Sequence, residues 1–589
     1  MILQALTEYY ETLAARGELA RPGWSSSNIS YVLYINDAGE LEQAVSVKTE
    51  QPRGKKTVML PQAMLLPAPA KRTSGVASNF LWDNSSYIFG ADNKGKPQRS
   101  MECFEACRKQ HHALLDHTDC PAARALLAFF DHWEPEKAAE HPALRENWDD
   151  MIAGSNFVFR YQDMFVQDDP LVRQAWQKHY DGSSEEGGDM VCLVTGQKGS
   201  PEATHPAIKG VKGAQSSGAA LVSFNAPALC SYGREQNLNA PVSKYAAFAY
   251  TEALNHLLAD REHVFHIGDA TVLFWCREGQ PDYQDFLGDF MFGNSESESS
   301  NDLFQMAKQI FSGQPVVYHE TELRSDMDFY ILGLSPNAAR LSVRFFLHNT
   351  FGNFLKNVLA HYERLRIVRP AYEPKSEIPL WKLLNETVNQ KSRDKTPAPN
   401  MAGETLRAVL TDTYYPATLR NGVTMRIRAE RKVTYGRAAI LKAYYLKNPH
   451  NDVPKEVLTV SLNPDHSENT TTITNIPFNL GRLFALYEEI QSAVNPNLNT
   501  TIRDKYFNSA AATPASVFPR LVNLSQAHLK KLRKPKTMGA YVSYERQVRE
   551  LMEPVGKTFP TRLSLPEQGS FQLGYYHQTQ MRYQKKEEK

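Results

Sequence analysis

The sequence predicts an α+β fold, in which a mixed or antiparallel sheet with helical insertions (residues 1–375) precedes an all-helical bundle (residues 376–589). Three observations support this prediction. Apolar and polar residues alternate with period two in short segments before residue 350, which is typical of strands. From Phe351 the apolar residues change to the i, i+3, i+4 spacing of a helix. After a segment with three prolines, 369–379, helical patterns dominate.

The composition indicates a soluble globular protein. The chain has 589 residues, 42% hydrophobic and 22% charged, which is enough for about four domain-sized units. Its six cysteines have no regular spacing, which indicates a reducing compartment. Glu8 and Glu11 interrupt the first predicted helix, so it is not a signal peptide, and no apolar run is long enough to span a membrane. A cytoplasmic location without membrane contact is therefore expected.

The charge of the chain is unevenly distributed. The formal net charge is +1, but residues 478–589 hold 17 Lys and Arg against 9 Asp and Glu, a balance of +8 that leaves −7 for the first 477 residues. A basic end on a nearly neutral chain suggests a polyanionic partner for that end.

The first 90 residues combine a predicted hairpin with a basic loop region. Tyr31–Ile35 and Leu41–Val47 flank a turn sequence and predict two paired strands. The region 51–90 is basic and interrupted by glycine and proline, which suits contact with a nucleic-acid backbone, although short basic clusters also occur in solvated loops. The residues assigned to nucleic-acid binding here are Arg53, Lys55, Lys56, Lys71, Arg72 and Asn79.

Two segments have the spacing of a cofactor or metal site without its chemistry. Gly90–Lys96 is spaced like a phosphate-binding loop, but Pro97 stands where a hydroxyl group must bind Mg²⁺. Cys103, Cys107 and His111 lie along one predicted helix over roughly 12 Å, too far apart to share one ion. We therefore expect core packing at these three residues, and neither a cofactor nor a metal.

A long loop, 196–243, follows a strand predicted at Met190–Thr195. A loop of this length in a compact domain is typically functional or disordered. Its lysines are suited to neutralise phosphates and its amides to read base edges. The assigned residues are Lys198, Lys209, Lys212, Gln236 and Asn237. Farther on, His263 and His266 near Asp269 are expected to be ordinary polar residues beside a strand at Ala270–Cys276.

Residues 328–369 predict a hairpin followed by a helix. One strand is expected at Phe329–Leu334, with the turn at 333–337, and the second at Leu341–Leu347. Arg340 and Arg344 then share a face roughly 13 Å apart, a spacing that suits two backbone phosphates. The alternative is a solvated sheet face.

The C-terminal part predicts helices around Leu480–Val494, Ser516–Leu532 and Tyr541–Met552. A cluster of positive charges follows the second of these helices, and such a groove suits single-stranded nucleic acid. Thr418–Lys447 is also basic, with interleaved tyrosines that suit either a nucleic-acid surface or a solvated helix. The residues assigned to the cluster are Lys530, Lys531, Arg533 and Lys534, with Lys536 beside them.

Several segments resemble a known family. LGLSPNAARLSVRFF at residues 332–346 closely resembles the hallmark of the large subunit of the type I-C CRISPR Cascade complex, an RNA-guided antiviral assembly. Four other segments also resemble that family, so the similarity runs across nearly the whole chain. They are NFLWDNSSYIFG (79–90), NAPVSKYAAFAYTEALNHLL (239–258), HIGDATVLFW (266–275) and YFNSAAATPASVFPRLVNLSQAHLKKL (506–532).

The resemblance implies a subunit without catalytic residues. It would recognise the protospacer-adjacent motif in target DNA, aid R-loop formation and recruit the helicase-nuclease. The implied partners are CRISPR RNA, double-stranded target DNA and its displaced strand, the backbone and RNA-end-capping Cascade subunits, and a small subunit made from the same gene that matches residues 478–589. The competing hypothesis is a metal-dependent nucleic-acid-processing enzyme that uses the histidines of the chain.

Overall fold

The structure, a computed structural model, describes residues 1–53, 56–70, 72, 75–184, 190–293, 300–370, 372–373, 377–393, 395–448, 453–459, 462 and 473–584. The chain divides into two compact units: residues 1–208 with 220–256, and residues 209–219 with 257–589. The domain boundary expected at residue 375 falls inside the second unit. The assignment of separate functions to residues 1–375 and 376–589 stays a prediction. Among the described residues, none of the helices combines the length and apolar character needed to cross a membrane.

The first unit contains a mixed sheet covered by helices. Its helices and strands are α1 Ile2–Ala15, β1 Trp24–Ile29, β2 Tyr31–Ile35, β3 Leu41–Ser46, β4 Thr49–Arg53, β5 Lys56–Leu60, β6 Gln62–Pro67, β7 Trp82–Asn84, α2 Ser85–Ile88, α3 Pro97–Leu115, α4 Pro121–His132, α5 Trp148–Ile152, β8 Asn156–Tyr161, β9 Met164–Phe165, α6 Pro170–Ser184 and α7 Lys244–Ala259, whose last residues belong to the second unit.

Strand β2 lies at the centre of this sheet. It pairs antiparallel with β3, which confirms the predicted hairpin, and parallel with β8, which in turn pairs antiparallel with β7 and β9. Tyr31, Leu33 and Ile35 alternate into one core with Phe157 and Phe159 of β8. Period-two burial along the strands therefore sets this face of the sheet.

The second unit combines a four-stranded antiparallel sheet with helices. Its elements are β10 Val264–Ile267, β11 Ala270–Cys276, α8 Asp282–Phe292, α9 Ser300–Phe311, β12 Val316–Tyr318, β13 Thr321–Leu323, β14 Asp328–Asn337, β15 Arg340–Thr350, α10 Phe351–Leu365, α11 Leu380–Asn385, α12 Pro399–Thr411, α13 Ala417–Glu430, α14 Tyr435–Lys447, α15 Lys455–Thr459, α16 Ile476–Val494, α17 Ile502–Ala512, α18 Pro514–Leu532, α19 Met538–Met552 and α20 Leu565–Gln584.

The predicted α+β class is confirmed, including the all-helical part after β15. The strands of the sheet follow the order β10-β11-β14-β15, so the predicted strand at 270–276 does join the hairpin. One hydrophobic core runs from this sheet through α10 into the C-terminal helices. The predicted apolar stripe of α10 is buried along its whole length. It consists of Phe351, Phe354, Leu355, Val358, Leu359 and Tyr362.

Helices α16 and α20 pack with their backbones in close contact. A Cβ atom on Gly481 would lie 1.9 Å from the carbonyl oxygen of Phe571, and one on Gly574 would lie 2.0 Å from that of Phe478. Only glycine allows two helices to approach this closely. The two glycines therefore allow α16 and α20 to pack closely within the C-terminal helical segment.

Two details of the predicted strands are wrong. The segment 190–195 forms an isolated bridge, Val191 with Lys198, because its backbone closes a turn in which the amide of Gly196 donates to the carbonyl of Cys192 at 2.9 Å. Strand β14 extends to Asn337, past the predicted turn residues, and the chain turns at Ala338, whose φ is +53°.

Candidate nucleic-acid interface

The hairpin β4–β5 carries three of the assigned basic residues at its end. Arg53 and Lys56 face each other as the last antiparallel pair, so their backbones lie side by side at the tip. Lys55 lies outside the described residues, as does Lys71 in the following loop. A two-stranded hairpin that ends in basic residues is suited to approach a polyanion.

Arg72 is engaged inside its own unit. Its guanidinium forms an ion pair with Asp83, donates from Nε to the carbonyl of Ala77 at 2.6 Å, and lies 4.1 Å from the ring centre of Tyr87. The Asp83 side chain is 1% exposed, and burial raises the pKa of this carboxyl group. Arg72 therefore neutralises a buried charge, a role that nothing in the local sequence indicated.

Asn79 belongs to the same cluster. Its side-chain oxygen accepts a hydrogen bond from the amide of Ala70 at 2.9 Å, and its own amide donates to Asp83 at 2.9 Å. Asn79 is 4% exposed, so in this conformation its side chain offers no surface to a base. Its observed contacts fix the loop that carries Arg72.

The two amides of the long loop are placed differently. Asn237 is 1% exposed, whereas Gln236 is exposed and has a φ of +46°. We therefore retain Gln236 as the residue of this pair that presents its side chain for base contact.

The three lysines assigned to the long loop are all exposed, but they are divided between the compact units. Lys198 belongs to the first unit, and Lys209 and Lys212 belong to the second. The backbone amide of Lys212 donates to the hydroxyl of Thr271 on β11 at 3.2 Å, so this segment is anchored on the sheet of its unit. The assignment of these three lysines to phosphates stays a prediction.

Arg340 and Arg344 both lie on β15. Their spacing of four residues would place them on one face of a regular strand, but β15 is not regular between them. The pairing of β14 with β15 shifts between Gly333 and Leu334, so that β15 has one extra residue and Val343 is exposed rather than buried. Such a bulge reorients the side chains that follow it. Arg344 forms an ion pair with Asp269, in the turn between β10 and β11.

The basic segment of α13 and α14 is largely used for internal contacts. Arg437 is 3% exposed and pairs with Glu386 and Glu430, and Lys447 pairs with Asp412 at 2.8 Å. Lys442 is 4% exposed, and burial lowers its pKa to about 8. The predicted basic surface is therefore much smaller than the residue count suggested.

The cluster at the end of α18 has the opposite character. All five of its cations are exposed, and within the described residues none forms an ion pair. The guanidinium of Arg533 lies 5.8 Å from the ring centre of Tyr541 on α19. Five unpaired charges within seven residues form a strongly cationic surface. They are Lys530, Lys531, Arg533, Lys534 and Lys536.

The segment with phosphate-loop spacing (90–97) and the residues with metal-site spacing (103–111) make hydrogen bonds within the protein. The carboxylate of Asp92 accepts hydrogen bonds from the amide of Lys94 and the hydroxyl of Ser86, at 2.9 and 2.7 Å. His111 is fully buried, with Nδ1 donating to the carbonyl of Cys107 and Nε2 accepting from the amide of Leu81. Burial lowers the pKa of His111 to about 4. The expected core packing of these residues is confirmed.

A third group bears on the hypothesis of a metal-dependent enzyme. Asp282, Asp285 and His319 place one potential ligand atom each within 4.8 Å of one another, a set that the sequence did not suggest. Both aspartates lie in the first turn of α8, where carboxylates stabilise the positive end of the helix dipole. That structural role accounts for them without a metal.

His263 lies next to this group, because it contacts Asp285. Its imidazole is held between Asp285 and Asp260, whereas Asp269 pairs with Arg344. Burial alone would lower the pKa of His263, but the two carboxylates raise it to about 9. The protonated ring therefore joins α8 to the segment before β10.

Comparison with known proteins gives one family. The model of a family described as CRISPR-associated protein (Cas_Csd1) matches residues 6–583, nearly the whole chain. No curated protein matches the chain.

Proposed function

From the premise that this chain belongs to the Cas_Csd1 family of CRISPR-associated proteins, we propose that it is the large subunit of a type I-C Cascade complex. In this role it recognises the protospacer-adjacent motif in the cytoplasm, aids R-loop formation and recruits the helicase-nuclease. Base pairing with the guide RNA would read the target sequence, while the protein reads the short motif and the charge of the backbone. The chain itself would contribute binding, without a catalytic step.

The cationic cluster of residues 530–536 carries this proposal. Displaced single-stranded DNA requires a basic surface that follows phosphates, without contacts to particular bases. Charges already paired with carboxylates would have to lose those partners first, whereas these five cations have no such partner among the described residues. We assign the displaced strand to this surface.

The duplex near the motif is assigned to the first unit. Gln236 offers an exposed amide for a base edge. The basic residues that the sequence places around the end of β4–β5 are assigned to phosphates. Replacing a lysine that contacts phosphate should weaken binding to all sequences alike, whereas replacing Gln236 should relax motif preference by about 1–3 kcal/mol.

Purification of the full chain from its native operon tests the proposal. We expect a guide RNA and the backbone and RNA-end-capping subunits to co-purify with it, and the assembly to bind duplexes in a motif-dependent manner. Isolated protein that cleaves DNA with Mg²⁺ or Mn²⁺, and that loses this activity when Asp282 and Asp285 become asparagine, would instead favour the metal-dependent enzyme.

The C-terminal helices α16–α20 are proposed to exist also as a separate small subunit translated from the same gene. They form a segment of local helix contacts, which is typical of an independently folding unit. In the full chain this segment also contacts the residues that follow α10, since the Tyr576 hydroxyl donates to the carbonyl of Val368 at 2.7 Å. Mass spectrometry of the assembly should detect a short chain with the same C-terminus; if only the full chain is present, the dual product is refuted.

A further inference from the structure

A loop between α6 and α7 presents a tyrosine whose ring packs against none of the described residues. Tyr232 is 100% exposed, the highest value among the large hydrophobic side chains of the described residues. Its neighbours Arg234 and Gln236 are also exposed. Neither packing nor a hydrogen bond of the described structure accounts for an aromatic ring at this position.

The backbone conformation at position 232 is one that tyrosine rarely adopts. Tyr232 and Gly233 have consecutive φ values of +53° and +69°, and the amide of Arg234 donates to the carbonyl of Ser231 at 3.1 Å. This is the arrangement of a type I′ turn, whose first central position favours asparagine, aspartate or glycine. A bulky side chain with positive φ lowers stability, so the fold itself favours a different residue.

The loop is nevertheless held in a defined conformation. The side chain of Asn239 accepts from the amide of Ser231 at 2.8 Å and donates to the carbonyls of Arg234 and Gln236 at 3.1 and 2.8 Å. The side-chain amide of Asn239 thus connects residues on both sides of the turn. Because the backbone of the turn is already held, binding has to order only the side-chain torsions of Tyr232.

We propose that Tyr232 stacks on a nucleobase of the target DNA beside the protospacer-adjacent motif. An exposed aromatic face is the chemistry that binds an unstacked base, and stacking does not depend on base identity. Arg234 is positioned two residues away to meet a phosphate, and Gln236 to meet a base edge. This inference rests on the proposed function and names a residue that contacts an unstacked base beside the motif.

The assembled complex with guide RNA provides the test, with Tyr232→Asn as the principal variant. Asparagine suits the positive φ of this turn, so the variant should unfold at the same or a higher temperature than the wild type. Its affinity for motif-bearing duplex should fall about tenfold or more, whereas Tyr232→Phe, which keeps the ring, should bind like the wild type. A lower melting temperature of Tyr232→Asn would overturn the inference, because the ring would then serve the fold.

2-Aminopurine placed at successive positions beside the motif locates the base. Stacking should quench its fluorescence at one position with the wild type and with Tyr232→Phe, and not with Tyr232→Asn. Equal quenching and affinity in all three proteins would refute the role of Tyr232. If the guide RNA, rather than the DNA, loses affinity in the variant, the ring binds an RNA base and the DNA assignment is wrong.

These outcomes are separate from those of the proposed function. A wild-type complex that shows no motif-dependent binding would refute the function itself. A wild-type complex that binds with motif preference, together with an unaffected Tyr232→Asn variant, would refute only this inference.

Discussion

Replacing Lys530, Lys531 and Lys534 by glutamine should reduce the salt dependence with which the complex holds single-stranded DNA. These side chains are exposed and have no ion pair among the described residues, so their charge is available to phosphates. Arg533 is left in place because it contacts Tyr541. The substitution therefore removes charge while keeping the contact between α18 and α19.

The expected magnitude follows from counterion release. Each phosphate contact to a single strand contributes about 0.7 to the slope of log affinity against log salt, so three contacts contribute about 2. Over a fourfold rise in salt, the wild type should then lose about 16-fold more affinity than the variant. Lys530 and Lys531 also lie in the last turn of α18, where each stabilises the helix dipole by about 0.3–1 kcal/mol.

Permanganate reactivity of thymines in the displaced strand, measured across a salt series, gives the required comparison. The matched control replaces Lys505, Lys557 and Arg562 by glutamine; these are exposed cations of the same C-terminal segment, on α17 and in the connection between α19 and α20, so the net charge changes equally. The cluster variant should expose the displaced strand at lower salt than this control does. If both triple variants show the same slope, only net charge matters, and the assignment of the strand to residues 530–536 is refuted.

Three further predictions concern stability. Arg72→Ala should destabilise the protein by about 3 kcal/mol in urea unfolding, because it leaves the charge of Asp83 buried without a partner. An unchanged midpoint of unfolding would show that Arg72 does not stabilise the fold. Gly574→Ala should destabilise by about 3 kcal/mol, since its Cβ would lie 2.0 Å from a backbone oxygen of the facing helix, whereas Gly403→Ala, with open space around it, should be neutral or stabilising in the same thermal scan. The folded-state pKa of His263 is raised to about 9, so its contribution to the free energy of unfolding is complete below about pH 6.5 and is lost as pH rises to 9, by at most about 3 kcal/mol. A His263→Gln variant should not show this decrease of stability with pH. Equal pH dependence of stability in both proteins would contradict the raised pKa.

Local patterns predicted the secondary structure well. The apolar stripe of α10, the hairpin β2–β3 and the buried face of α3 all follow from spacing within one element, and all are confirmed. The alternation along β15 was less reliable. One extra residue in β15, opposite the step from Gly333 to Leu334 in β14, leaves Val343 exposed. The periodicity of a single strand does not show where its pairing with a neighbouring strand shifts.

The sequence by itself determined the class of fold, the family and the basic character of the C-terminal end, because each depends on composition or on residues close together in the chain. Only the tertiary structure decided which basic residues remain available to a polyanion. Arg72 pairs with a carboxylate 11 residues away and Arg344 with one 75 residues away, so neither partner is visible in the local pattern. A positive charge counts equally in any sequence window, but its electrostatic contribution depends on the carboxylates that folding brings beside it.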